Sequence, residues 1–471
     1  MYIAGLRSLA LTTALLFFCA CRDEVELPPN ILILIADDVG TDMISAYGAG
    51  PDGPRTPNID VLAKNGVLFQ NAWSNPACST TRATIQTGRY SFRTGVGWLT
   101  TSGDGFALAL EEQILPEMLD AYAPVAYRHA AFGKWHLGNL SVGGLLAPNL
   151  AGYSHFQGTL FNLSTVERYY SWQEIHNGDL VPRDAYVTHA TVDAALRWAK
   201  SGPEPWLAYV AFHAAHAPYH APEEVLGTTD PSSPEGLRIQ YRWMVEEVDR
   251  EIGRLMEGLG PESRDRTVVL FAGDNGTPAE VSADPSSPDH MKDSLYQGGI
   301  SIPFIVSGAG ISDPGRFSES LVHTVDVFAT VAELAGIDPA SLGSSDRPID
   351  SVSLVPYLRD PAARPMRTTL FAERFLPSGY EPTKQSYALR DARYKLIFHL
   401  FESTATEERE ETWASGLQFF DLVRDPGEER DMLLEEELPP EAAASYRTQR
   451  RELHRLATEA LRTRAVRRSI P

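Results

Sequence analysis

Residues 31–38 read ILILIADD, an aliphatic run that passes without alternation into two aspartates. A strand with one solvated face alternates apolar and polar residues. A strand with no alternation is buried on both faces, as parallel strands covered by helices are. Its carboxylates, Asp37 and Asp38, then emerge at the C-terminal end. TVVLFA at 267–272 repeats the pattern and runs into Asp274, Asn275 and Gly276, while WLAYVAF at 206–212 runs into His213 and His216. Ligands of open α/β sheets sit outside the carboxyl ends of the strands, so the three endings are expected to face one crevice.

Helical spacing fills the intervals. TPNIDVLAKNG at 56–66, YRWMVEEVDREIGRLMEGLG at 241–260 and VDVFATVAELAG at 325–336 repeat apolar residues at three and four. Strands alternating with such helices predict an α/β fold, a central sheet covered on both faces. Beyond residue 355 the pattern shortens to YALRDARYKLIFHL at 387–400 and FFDLVRDPGEERDML at 419–433, which predicts a smaller appended sheet. Residues 402–412 read as a charged loop and 434–468 as a solvent-facing helix or helix pair.

A chain of 471 residues, 43% hydrophobic and 22% charged, has ample material for a core and neither the period of collagen nor the bias of a disordered chain. Its net charge of −21 repels nucleic-acid phosphates, so no nucleic-acid partner is expected, and an anionic substrate requires a dedicated cationic pocket. The three cysteines, Cys19, Cys21 and Cys78, make no disulfide framework. Residues 8–20, SLALTTALLFFCA behind Arg7, have the length of a signal peptide and fall short of a membrane span. FCAC at 18–21 resembles a bacterial lipoprotein signal, with Phe18 where Leu is usual and lipid on Cys21. The expected division is a leader at 1–20, a tether at 21–28, a catalytic domain at 29–355 and a C-terminal α+β subdomain at 356–471. The expected location is the bacterial periplasm or cell envelope, lipid-anchored or else freely secreted.

Asp37, Asp38, Asp274 and Asn275 offer only oxygen, which suits a hard divalent cation; DD and DNG are equally good turn formers. Cys78 opens CSTTRATIQTGR at 78–89, a helix pattern whose positive end would stabilise an anion, with Arg82 one turn on. An isolated buried cysteine is the plainer reading. In GKWHLG at 133–138 an extended backbone sends Lys134 and His136 to one face and Trp135 to the other. His216 and Lys292 could complete a cationic ring. His213, His220, His290 and His323 raise zinc, but without HExxH or CxxC the oxygen set is preferred. YYSW at 169–172 reads equally as a sugar platform or as core packing.

The ordered set PNILILIADDVG, TPNIDVLAKNGVLF, CSTTRATIQTGR, GKWHLG, FHAAHAP, FAGDNG and KDSLYQGGISIP, continuing into LRDARYKLI and FFDLVRDPGEE, resembles the type I sulfatases of the alkaline-phosphatase superfamily. The resemblance implies a large mixed, mostly parallel sheet sandwiched by helices, with a smaller C-terminal antiparallel sheet. It implies one calcium ion held by Asp37, Asp38, Asp274 and Asn275, and conversion of Cys78 to formylglycine (3-oxoalanine) by a formylglycine-generating enzyme. Arg82 would orient that group, whose hydrate attacks the sulfur of a sulfate ester. His136 would then take a proton so that sulfate leaves, Lys134 and Lys292 would neutralise sulfuryl oxygens, and His216 with Lys292 would serve the leaving oxygen. The implied substrate is a carbohydrate or aryl sulfate. Three positions depart from the family pattern: Thr80 stands where Pro or Ala is usual, Gln297 where Glu is, and Ser301 where Arg is common. The alternatives are a phosphonate monoester or phosphodiester hydrolase of the same superfamily and, if Cys78 stays a thiol, a non-catalytic binder of sulfated glycans.

Overall fold

A computed structural model describes residues 27–50, 52–102, 107–221, 233–282, 287–376, 385–400 and 416–469. The leader, Cys19, Cys21 and the charged loop expected at 402–412 lie outside them. Ten strands form one sheet: β1 (Asn30–Ala36), β2 (Gly66–Trp73), β3 (Arg128–Lys134), β4 (His155–Thr159), β5 (Ser171–His176), β6 (Asp179–Asp184), β7 (Trp206–Ala211), β8 (Thr267–Gly273), β9 (Phe304–Gly308) and β10 (Arg316–His323). Their order is β10-β2-β9-β8-β1-β7-β3-β4-β5-β6. The central run β8-β1-β7-β3-β4 is parallel, while β9, β5 and β6 pair antiparallel with their neighbours.

The uninterrupted apolar run of β1 has a direct structural cause. Ile31, Ile33 and Ile35 belong to one buried cluster and Leu32, Leu34 and Ala36 to another, because alternate side chains leave opposite faces of the strand. Helix α1 (Pro57–Lys64) precedes β2; the first cluster lies under helices α2 (Cys78–Thr87) and Val327–Leu334, and the second under Val187–Lys200 and Pro234–Leu259. Helix α2 stops at Gly88, which takes φ +67° and has no room for a side chain, since a Cβ there would meet the Phe328 ring at 2.8 Å.

A second sheet, β11 (Leu370–Arg374), β12 (Gln385–Arg390), β13 (Tyr394–Leu400) and β14 (Leu417–Asp421), is antiparallel throughout. One face packs Leu389, Leu396 and Phe419 against Leu453, Leu456 and Ala457 of the long helix Pro440–Ser469. That helix is single, and one face is buried rather than solvated. The other face packs Ala388, Ile397 and Phe420 against Trp73, Leu295 and Ile300 of the main body. Among the described residues no helix is long and apolar enough to cross a membrane.

Candidate active site

Strands β8, β1, β7 and β3 are adjacent, so residues remote in sequence leave one edge of the sheet together. Asp37 and Asp38 follow β1, Asp274 and Asn275 follow β8, His213 and His216 follow β7, and Lys134 ends β3. Helix α2 brings Cys78 to the same place at its first residue. Ligand atoms of Asp37, Cys78 and Asp274 lie within 4.8 Å of one another.

The Cys78 thiol is 3.2 Å from His136 Nδ1 and 3.5 Å from Lys134 Nζ. Lys134 also contacts Asp37 Oδ2 at 2.5 Å. Lys134 and His136 thus converge as expected, but an extended backbone is not the means. His136 adopts φ +58°, a left-handed turn that swings its ring back over the site. Trp135 packs the other way, against Tyr153 and Phe156.

Arg82 is fully buried, and its guanidinium addresses a carboxylate rather than Cys78. Nε and NH2 donate to Asp274 Oδ2 at 3.0 and 2.8 Å, and NH1 donates to the Lys134 carbonyl at 2.7 Å. Asp274 Oδ1 accepts from the Asp38 amide, and Asn275 Nδ2 donates to Asp38 Oδ1 at 2.8 Å. Lys292 Nζ donates to Asp38 Oδ2 at 2.7 Å, with His216 Nε2 at 3.9 Å from the same oxygen. The ten residues to which the resemblance gives a role therefore meet at one locus.

A profile of the family described as Sulfatase matches residues 29–337. The chain belongs to the sulfatase family. It is 31% identical to N-acetylgalactosamine-6-sulfatase of Homo sapiens over 372 residues, which cover 70% of this chain and 66% of that protein. The chain thus spans slightly under two thirds of that relative's length. It is 27% identical to an arylsulfatase of Klebsiella aerogenes, covering 66% of this chain and 87% of that one. A sulfatase structure from Pseudoalteromonas sp. superposes with a TM-score of 0.70 at 21% identity, covering 93% and 91% of the two chains, which speaks to the fold.

The residues present in this sulfatase-family site fit the calcium ion that the family implies. Asp37 Oδ1 and Asn275 Oδ1 are buried with no hydrogen-bond partner among the described residues. Leaving such oxygens unsatisfied costs about 1–3 kcal/mol each, and a hard cation would satisfy both. Asp274, whose two oxygens do have partners, is short of positive charge instead. Burial and the neighbouring Asp37 push its pKa up to about 6, as carboxylates crowded around a cation site would be before the cation is counted.

Burial pushes the Cys78 thiol up to about 11, so as a plain cysteine it is a poor nucleophile at neutral pH. Burial and the Lys134 charge hold His136 well below the usual imidazole range, and burial takes His216 down to about 4. Hydrogen bonding fixes their tautomers. His136 Nε2 faces the Thr100 carbonyl at 3.0 Å and must donate, leaving the Nδ1 lone pair toward Cys78. His216 Nδ1 donates to the Ala217 carbonyl, so Nε2 accepts from Asn162 Nδ2 at 3.0 Å.

Thr100, Asn162 and Thr159, whose hydroxyl meets His213 Nε2 at 2.7 Å, carry no spacing signal that could have found them. Tyr169 and Trp172 are 1% and 3% exposed, which makes YYSW core packing and not a sugar platform. Thr80 is fully buried and donates to the Ala77 carbonyl within the first turn of α2. Gln297 accepts from Trp73 Nε1 at 2.9 Å, and Ser301 bridges the Trp73 backbone. His290 stacks on Tyr296, and His323 is an interior residue between Tyr90 and Arg367.

Proposed function

We propose that the protein is a sulfuric ester hydrolase that releases inorganic sulfate from a carbohydrate or aryl sulfate, using formylglycine at position 78. The observation that carries this reading is the placement of Cys78 at a helix N-terminus, against a neutral imidazole lone pair and an ammonium, beside a carboxylate and an amide whose oxygens are unsatisfied. A binder of anions needs the cations alone. The added nucleophile position, base and hard-cation ligands favour turnover.

Hydrated formylglycine would supply the attacking oxygen, and calcium held by Asp37, Asp38, Asp274 and Asn275 would supply Lewis acidity. The other roles fall to this chain's own groups. His136 Nδ1 faces the side chain at 78 and accepts a proton from it, while the Thr100 carbonyl holds the ring in that tautomer. Lys134 and Lys292 neutralise charge on the sulfuryl oxygens, and His216 with Lys292 lines the side where the alcohol oxygen departs. Arg82 fixes Asp274 and the end of β3. The division at 29–355 and 356–471, maturation by a formylglycine-generating enzyme, and an exported, lipid-anchored state through Cys21 are parts of the same proposal.

The test is expression with a formylglycine-generating enzyme, peptide mass analysis of residue 78, and assay of sulfate from nitrophenyl sulfate. Phenyl phosphonate at matched concentration runs alongside. The proposal expects aldehyde at 78 and a higher kcat/KM for the sulfate. Proven aldehyde with no sulfate release, or a higher kcat/KM for the phosphonate, would refute it.

A further inference from the structure

The C-terminal sheet reaches the rim of this site. Strand β11 ends at Arg374, and the next residue, Phe375, donates its amide to the Gly97 carbonyl at 3.2 Å. A Cβ on Gly97 would stand 2.4 Å from the Phe375 ring, so the two loops close with no space for a side chain. That closure sets the Arg374 guanidinium over Trp98, with Cζ 4.2 Å from the ring centroid. Its NH1 donates to the Asp293 carbonyl at 2.8 Å.

Both neighbours lead into the site. Trp98 lies two residues before Thr100, whose carbonyl holds His136 and whose amide donates to Ser79 Oγ at 2.9 Å. Asp293 directly follows Lys292, which contacts Asp38. Trp98 and Arg374 are both partly exposed.

Arg128 and Arg390 also stack on tryptophans and bond only carbonyls, but Arg374 is the one of these three whose neighbours, Trp98 and Asp293, lead into the Cys78 site. Arg82, Arg93, Arg367 and Arg393 each hold an acidic side chain at 2.8 Å or closer, whereas among the described residues none lies within ion-pair distance of Arg374. A guanidinium has five donors, and here one is committed to a carbonyl. Half-removed from water, it lies below its ordinary pKa because burial outweighs the more distant Asp293 charge. In a chain of net charge −21, an arginine left without an acid beside an anion site is matched to an anion from outside.

We infer that Arg374, held flat by Trp98, forms a second anion subsite that reads a carboxylate or sulfate on the sugar whose sulfate ester enters the Cys78 site. The substrate class is an acidic saccharide with at least one negative group besides the scissile sulfate. This inference rests on the hydrolase reading. Cation–π contact and the Asp293 hydrogen bond preorganise the guanidinium, so binding the second anion freezes little additional motion.

The test uses the full chain with Cys78→Ala, which binds without turnover. Calorimetry compares a monosulfated disaccharide bearing a uronate, its uronate methyl ester, and a disulfated disaccharide lacking a uronate. The expected result is binding about tenfold or more tighter for a ligand with a second anion than for the ester. Which of the two anionic ligands binds more tightly identifies the group read. Arg374→Ala should bring the ratio near one and Arg374→Lys should retain part of it; if the alanine variant fails to fold, the lysine and glutamine variants decide. A ratio near one with Arg374 present, or a ratio unchanged in the variants, overturns the inference. With Cys78 converted to formylglycine, preferential binding without sulfate release keeps this inference and sinks the hydrolase reading. Sulfate release without the preference does the reverse.

Discussion

Two of the buried charge clusters among the described residues are finished differently. Asp326 is fully buried beside Arg367, whose Nε donates at 2.8 and 2.9 Å, and it also accepts from the backbone amides of His323 and Val352. Arg93 closes the neighbouring Asp350 in the same way. Around Cys78, comparable carboxylates meet Arg82, Lys134 and Lys292, yet among the described residues Asp37 Oδ1 and Asn275 Oδ1 have no hydrogen-bond partner. The Asp326 cluster satisfies its carboxylate oxygens internally, whereas the cluster beside Cys78 leaves two oxygens with valence for a ligand.

The largest effect separates the clusters by function. Cys78→Ala should lower sulfate release by about 10⁴-fold or more while the melting temperature stays close to that of the parent. A variant retaining a tenth of the activity would break the assignment of position 78. The converse holds at the closed cluster, where Arg367→Met strands the buried Asp326 carboxylate. It should cost about 3–5 kcal/mol of stability in denaturant unfolding. A loss below 1 kcal/mol would show that the cluster is not the tightly coupled structural unit described above.

A subtler effect distinguishes the clusters by pH. Burial, reinforced by the Arg367 charge, takes His323 down to about 3, and its Nδ1 accepts from the Val325 amide as a neutral ring must. Between the unfolded value near 6.5 and the folded value the unfolded chain binds more protons. Stability is therefore fully present above about 6.5 and declines as pH falls toward 3, by at most about 1.4 kcal/mol per unit. Urea midpoints across that range should fall less steeply for His323→Asn. Equal slopes would contradict the assignment.

The sequence made the acids legible because each ends an unbroken apolar strand, and strand ends of parallel sheets are where ligands go. The same rule put three strand endings at one crevice, but the order β8-β1-β7-β3 that makes them neighbours is a matter of topology the sequence did not state. Side-chain aim was not legible either. Arg82 one turn after Cys78 suggested a shared target, but helix geometry alone does not say that Asp274 waits on the next strand. His136 reaches Cys78 through a left-handed backbone that no spacing rule anticipates. YYSW looks like a platform only until Tyr169 and Trp172 are seen to be interior. Arg374 carries no motif at all; its meaning depends on Trp98 and Asp293, which tertiary packing alone brings to it.

The contrast between closed and open clusters is tested most directly by calorimetric titration of calcium into chelator-treated protein. One ion should bind per chain and raise the melting temperature, and Asp37→Asn should abolish that binding while Arg367→Met, under conditions where it remains folded, should not. Absence of binding to the parent protein, or binding indifferent to Asp37, would contradict the claim that the oxygens beside Cys78 are held open for a cation.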